Sequence, residues 1–157
     1  VNLTITTTDA RLARFLEPRA PLPHERFEAL RRLRDDGVRA GVFLMPVLPG
    51  ITDADADLLD LAHRAAEARA EFVAHQVVFL EGTSRVHFLA SLRRAYPRVA
   101  ARYEVWTRCS RNLPPDLRED VAERVRRALR DAGITGSVAG APPVPRQESQ
   151  KTFEFVA

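Results

Sequence analysis

The apolar pattern changes period several times along the chain. Val1-Asn2-Leu3-Thr4-Ile5-Thr6 alternates apolar and polar residues and is rich in β-branched side chains, so it predicts a strand. Helical spacing follows, with Leu12, Phe15 and Leu16 on one face and Thr8 as the expected N-cap. Pro18, Pro21 and Pro23 then make a stiff linker, and Pro23 suits the first turn of a second helix. Phe27, Leu30 and Leu33 form the apolar stripe of that helix, and Gly37 is its expected stop. Val38 to Pro46 predicts the second strand, and within it Val42-Phe43-Leu44-Met45 is apolar without alternation, the pattern of a strand buried on both faces. Pro46-Val47-Leu48-Pro49-Gly50 predicts a loop, because proline cannot donate to a sheet ladder. Thr52 is the expected cap of a third helix, with Asp53 and Asp55 favourably placed for its dipole. Leu58, Leu59, Leu61, Ala62 and Ala65 form its buried side, and Phe72 to Leu80 predicts a third, mostly apolar strand.

The order strand, helices, strand, helix, strand predicts an α/β fold with parallel strands joined by crossovers. Three such strands leave a face and an edge without partners. Residues 1–82 therefore read as half of a larger parallel fold, whose N-terminal half lies elsewhere; a Val at position 1, not Met, fits that expectation. Residues 83–133 predict a helical region. Its stripes are Val86, Leu89 and Leu92 after Ser84 as cap, then Val99, Tyr103 and Trp106 after Pro97. Beyond Pro114-Pro115 come Leu117, Val121, Val125, Ala128 and Leu129, closed by Gly133. Residues 134–157, rich in Gly, Pro, Ser and Gln, predict a loose tail that Phe153 and Phe155 can dock locally.

Charge changes this picture little. The net charge is +3, with 23 Arg against the single Lys151, and most arginines alternate with Asp and Glu on helix faces. Codon usage of a GC-rich genome, rather than phosphate recognition, is therefore the expected source of that bias. A basic, cluster-free module that binds nucleic acid is the alternative reading, although aromatics make up only 7% of the chain. No apolar run approaches a membrane span, and no signal-peptide pattern is visible, so a cytoplasmic location without membrane partners is expected. One cysteine, Cys109, excludes an internal disulfide and any multi-cysteine zinc site within the chain. It follows Trp106 on a predicted helix and reads as a core or half-buried residue.

In parallel α/β folds ligands bind beyond the carboxyl ends of the strands. That directs attention to Thr6 to Thr8, Met45 to Gly50 and Gln76 to Gly82. Thr4 points away from Leu3 and Ile5, so its hydroxyl faces the other side of the sheet. The threonines suit either ligand hydrogen bonds or capping. The Pro-Val-Leu-Pro-Gly segment suits either a rigid turn or packing against a ligand. Gln76 suits either ligand binding or satisfaction within its layer. Glu17 and Arg19 flank Pro18 and suit a local ion pair. His24, His63, His75 and His87 show no metal spacing. Phosphate-loop, nucleophile-elbow and His-Glu-x-x-His patterns are absent.

Five segments carry a resemblance. They are Val1 to Thr7, Leu16-Glu17-Pro18-Arg19-Ala20-Pro21, Arg26-Phe27-Glu28-Ala29-Leu30, Gly37-Val38-Arg39-Ala40-Gly41-Val42, and Pro46-Val47-Leu48-Pro49-Gly50-Ile51-Thr52-Asp53. In order and spacing the chain resembles radical S-adenosylmethionine proteins related to spore photoproduct lyase, the "DNA repair photolyase-like" group. The resemblance implies a partial (β/α)6 TIM-like barrel, of which this chain supplies strands four to six. It implies S-adenosylmethionine and a [4Fe–4S] cluster as cofactors of the whole protein, which generates a 5′-deoxyadenosyl radical for hydrogen abstraction. The Cys-x-x-x-Cys-x-x-Cys cluster loop would lie before Val1, so this chain is not expected to act alone. Carried over by position, the cofactor-binding residues are Thr4, Thr6, Glu17, Arg26, Pro46 and Gln76. The implied partners are the N-terminal half of the barrel and, by analogy, a nucleic-acid substrate.

Overall fold

A computed structural model describes residues 1–135. Strands β1 (Asn2–Thr4), β2 (Gly41–Val47) and β3 (Val73–Val77) form one parallel sheet in the order β1-β2-β3. Six helices accompany them among the described residues: α1 (Ala10–Leu16), α2 (Pro23–Asp35), α3 (Asp55–Glu67), α4 (Gly82–Ala95), α5 (Pro97–Trp106) and α6 (Pro115–Asp131). The chain is thus α/β, and sequence order equals spatial order across the sheet. The expected docking of Phe153 and Phe155 lies outside the described residues.

The register pairs Leu3 with Val42 and Val42 with Val73, so these side chains share one face of the sheet. Ile5, Leu44 and Val77 follow on that face and join a core with Phe27 and Leu30 of α2, Leu58 and Leu61 of α3, and Val121 and Val125 of α6. The opposite face carries Asn2, Thr4, Phe43, Met45 and Gln76, all exposed or half-buried, and none belongs to a core cluster. Helices α2, α3 and α6 therefore cover one face. The run Val42 to Met45 lacks alternation although half of it faces away from the helices: Phe43 lies there against the Phe72 ring, centroids 6.4 Å apart.

A second core sits at the carboxyl ends of the strands. Leu89, Leu92, Ala100 and Tyr103 of α4 and α5 pack with Leu48 beyond β2 and with Val78 and Leu80 beyond β3. Phe15 of α1 meets Tyr96 edge-on at 5.9 Å. Helix α6 then leaves this pair and packs on α3 and β3.

Several local expectations are corrected. Pro46 lies inside β2, because the β2–β3 ladder shifts register between Leu44 and Val47 and asks no N–H of it. Its peptide bond with Met45 is cis. Asp9, not Thr8, caps α1, its carboxylate accepting from the Arg11 and Leu12 amides at 2.7 and 3.1 Å. Ala54 stands at the N-cap of α3, since the buried Thr52 hydroxyl is engaged with the Leu48 amide instead. Helix α4 begins ahead of Ser84, whose hydroxyl donates back to the Glu81 carbonyl at 2.7 Å. Cys109 is exposed, because α5 ends at Trp106 and the chain turns outward there.

Candidate functional site

The residues singled out from sequence gather in two places and leave one aside. Thr4, Glu17 and Arg26 meet at the end of β1. The Arg26 guanidinium donates to the Thr4 carbonyl at 2.6 Å, the Pro21 carbonyl at 2.9 Å and the Glu17 carboxylate at 2.7 Å. Its side chain is only 11% exposed. Arg26 thereby ties strand, linker and α1 together, each of its three nitrogens donating to an oxygen. Glu17 pairs with Arg26, nine residues away, and not with the neighbouring Arg19 expected from sequence. The Thr4 hydroxyl stays on the uncovered sheet face. Thr6 is buried, 6% exposed, and belongs to neither group.

Pro46 and Gln76 meet in a cleft of about 340 Å³ at the carboxyl ends of β2 and β3, with Met45, Val77, Val78, Phe79 and Ser84. Phe79 is 46% exposed and offers an aromatic surface. The Arg111 guanidinium lies 5.8 Å from that ring and 3.2 Å from Glu81. The cleft thus combines an apolar floor, one side-chain amide and one hydroxyl. Such a wall suits a flat, partly apolar ligand held by few polar contacts. A further cleft of about 440 Å³ lies on the free edge of β3, between His75 and Glu119 of α6. The Nδ1 atom of His75 is buried there without a partner among the described residues. Burial first, and then the Arg126 charge, lowers the His75 pKa below the usual imidazole value.

The loop from Pro46 to Asp53 is fixed by residues whose role the sequence did not reveal. The Leu48 amide donates to Thr52 Oγ1 at 2.9 Å and the Gly50 amide to Asp53 Oδ1 at 2.6 Å. Gly50 has φ +79°, a conformation that favours glycine. The second Asp53 oxygen accepts from Arg124 of α6 at 2.6 Å, and the same guanidinium reaches the Asp53 carbonyl. Asp53 had read only as a charge for the helix dipole. Nothing in the local pattern links it to an arginine 71 residues on. Tyr103 lies beneath, fully buried, with its hydroxyl unpartnered among the described residues. Burial, and then the Asp53 charge, pushes its pKa well up.

The donor set bears on the implied cofactors. A [4Fe–4S] cluster needs three thiolates, and the chain has one cysteine, exposed and remote from the cleft. Among the described residues no group of three or more His, Cys, Asp or Glu side chains is arranged to hold a metal ion. The residues present therefore do not fit the cluster. Among the described residues no helix is long and apolar enough to cross a membrane.

Over 143 residues, 91% of its length, the chain is 32% identical to uncharacterized proteins of Mycobacterium tuberculosis and Mycobacterium bovis. It spans 42% of the length of these curated relatives. A shorter stretch of 49 residues is 37% identical to an uncharacterized protein of Acidianus two-tailed virus, covering 31% of this chain and 16% of that protein. No protein-family model matches the chain, and no solved structure matches it.

Proposed function

We propose that the chain is the carboxyl-terminal half of a partial (β/α)6 barrel in a radical S-adenosylmethionine protein, forming part of the wall that binds S-adenosylmethionine. One observation carries this reading: a sequentially ordered parallel sheet has α2, α3 and α6 on one face, while Thr4, Phe43, Met45 and Gln76 lie uncovered on the other. A doubly wound sheet needs helices on both faces, whereas a barrel strand turns its uncovered face to the interior. The greater length of the mycobacterial relatives agrees with strands supplied by another segment. In the complete protein the cluster and S-adenosylmethionine together supply hydrogen-abstraction chemistry. The share of this chain is binding. Thr4 offers a hydroxyl and Gln76 an amide, while Met45, Pro46 and Phe79 exclude water along the apolar side. Glu17 and Arg26 hold the end of β1 in place.

The test is anaerobic reconstitution of the full-length protein with iron and sulfide, followed by an assay for 5′-deoxyadenosine. Formation of that product, weakened by Gln76→Leu, supports the reading. No product, or an upstream sequence without the three-cysteine loop, defeats it.

A second reading has its own observation. Residues 82–113 carry seven arginines and one glutamate, a local charge of +6 on a chain whose net charge is +3. Nucleic-acid binding through this helical pair would appear as a salt-dependent mobility shift. No shift with either DNA or RNA at low salt removes it.

A further inference from the structure

We infer that Arg124 is a positioning residue that holds the loop after β2 in the shape the ligand meets. This rests on the reading of that loop as part of an S-adenosylmethionine site. The loop leaves β2 at Val47 and doubles back at once, with the Ile51 and Thr52 amides both donating to the Leu48 carbonyl at 2.9 Å. Two side chains complete the turn from within: Thr52 takes the Leu48 amide and Asp53 takes the Gly50 amide. Both side chains belong to buried residues, 3% and 8% exposed. A carboxylate in that position needs a cation, and the loop contains none.

Helix α6 supplies it. Arg124 Nη2 bonds Asp53 Oδ2 at 2.6 Å, Nη1 reaches the Asp53 carbonyl, and Nε bonds Asp120 one turn back at 3.0 Å. The guanidinium therefore fixes both the side chain and the backbone of the residue that fixes Gly50. Its own orientation is set by Asp120, so a flexible ammonium cannot reproduce the fork. Nearby arginines lack this geometry: Arg127 pairs with the exposed Asp55, and Arg130 with the exposed Glu123. Arg124 reaches the loop only through Asp53, so its effect falls on ligand affinity and leaves the chemical step alone.

The test uses the full-length protein, reconstituted anaerobically, with Arg124→Gln and Arg124→Lys, and Arg130→Gln as control. Amide exchange at Leu48 and Gly50 reads the loop directly. Equilibrium dialysis with S-adenosylmethionine reads affinity, and 5′-deoxyadenosine formation separates KM from kcat. Arg124→Gln is expected to speed exchange at Gly50 and weaken binding about tenfold or more, as displaced contacts do. KM should rise with kcat nearly unchanged, Arg124→Lys should recover part of the loss, and Arg130→Gln should match wild type. Should Arg124→Gln fail to fold, Asp53→Asn breaks the same charge pair and must give the same shift in affinity. Faster exchange with unchanged affinity overturns the inference while leaving the proposed site intact. Wild-type protein that binds no S-adenosylmethionine overturns both, and normal exchange in Arg124→Gln overturns the clamp alone.

Discussion

Replacing Tyr103 by Phe should stabilise the protein, although Tyr103 lies at the centre of the second core. Its ring is fully buried and makes edge-on contacts with Phe88 at 5.5 Å and Trp106 at 5.3 Å. Phenylalanine retains both contacts. What it deletes is the hydroxyl, buried with no hydrogen-bond partner among the described residues. Leaving such a group unsatisfied costs about 1–3 kcal/mol relative to its hydrated state in the unfolded chain. The small void left by one oxygen returns roughly 0.3–0.5 kcal/mol of that as lost packing. The balance is a gain of about 1–2 kcal/mol. For a domain of this size that raises Tm by about 3–8 °C. Differential scanning calorimetry and urea unfolding of the two proteins read it, with the urea slope unchanged if both states keep their compactness. A loss of about 1 kcal/mol on removing the hydroxyl would refute the reasoning, because it would show that the group is satisfied by a bound water or by Asp53.

Three further expectations test other parts of the structure. Arg26→Met removes the three-way tie at the end of β1 and leaves the partly buried Glu17 without its cation, so unfolding free energy should fall by about 2–4 kcal/mol in urea titrations. Gly41→Ala places a Cβ 2.6 Å from the Phe72 carbonyl oxygen, a backbone atom that cannot step aside, and should cost about 2 kcal/mol or more by thermal melting. His75 has a folded pKa below its unfolded value of 6.5, so the unfolded chain takes up the proton first as pH falls. Its contribution is therefore intact above pH 6.5 and is lost as pH drops through 6.5 toward the folded value. Melts at pH 7.5 and 5.5 should show a drop that His75→Leu reduces. Asp60, Glu71 and Glu123, whose pKa values are lowered, lose their contribution only in more acid solution, as pH falls through their folded values.

The parallel sheet was legible because three apolar segments were separated by long amphipathic ones, which leaves few topologies. The stripes of α2 and α6 were legible for the same reason: Phe27, Leu30, Val121 and Val125 recur at helical spacing and are buried. Caps were misread where two hydroxyls or carboxylates competed for one amide. Thr8 and Asp9 are adjacent, and the carboxylate took the helix amides while Thr7 accepted from the Asp9 amide. A proline at position 46 predicts the end of the strand, because sequence shows a missing donor and not a register shift that makes the donor unnecessary. Counting from Trp106 predicts a core or half-buried Cys109, but the helix ends at Trp106. The pairs Arg26–Glu17 and Arg124–Asp53 were illegible for a different reason. Each depends on where a guanidinium arrives after the fold has formed, and with 23 arginines the composition does not single out either one.

The loop after β2 shows why its segment reads as a motif without carrying obvious chemistry. Val47, Leu48 and Pro49 are buried, Thr52 and Asp53 bond their own loop amides, and Ile51 packs against the second core. Nearly every side chain between Pro46 and Asp53 is therefore committed inward. What the loop turns outward is Pro46 and the backbone at Gly50. A ligand at this end of the sheet would be met by shape, an apolar ring and main-chain groups, while its polar selection falls to Thr4 and Gln76 on the strands. Substitution of the loop residues should then act on affinity through the shape of the loop, with a cost in stability. Substitution of Gln76, exposed and without a packing role, should act on affinity with little effect on Tm. If Gln76→Leu lowers Tm as much as it weakens S-adenosylmethionine binding, this division of labour between loop and strand is wrong.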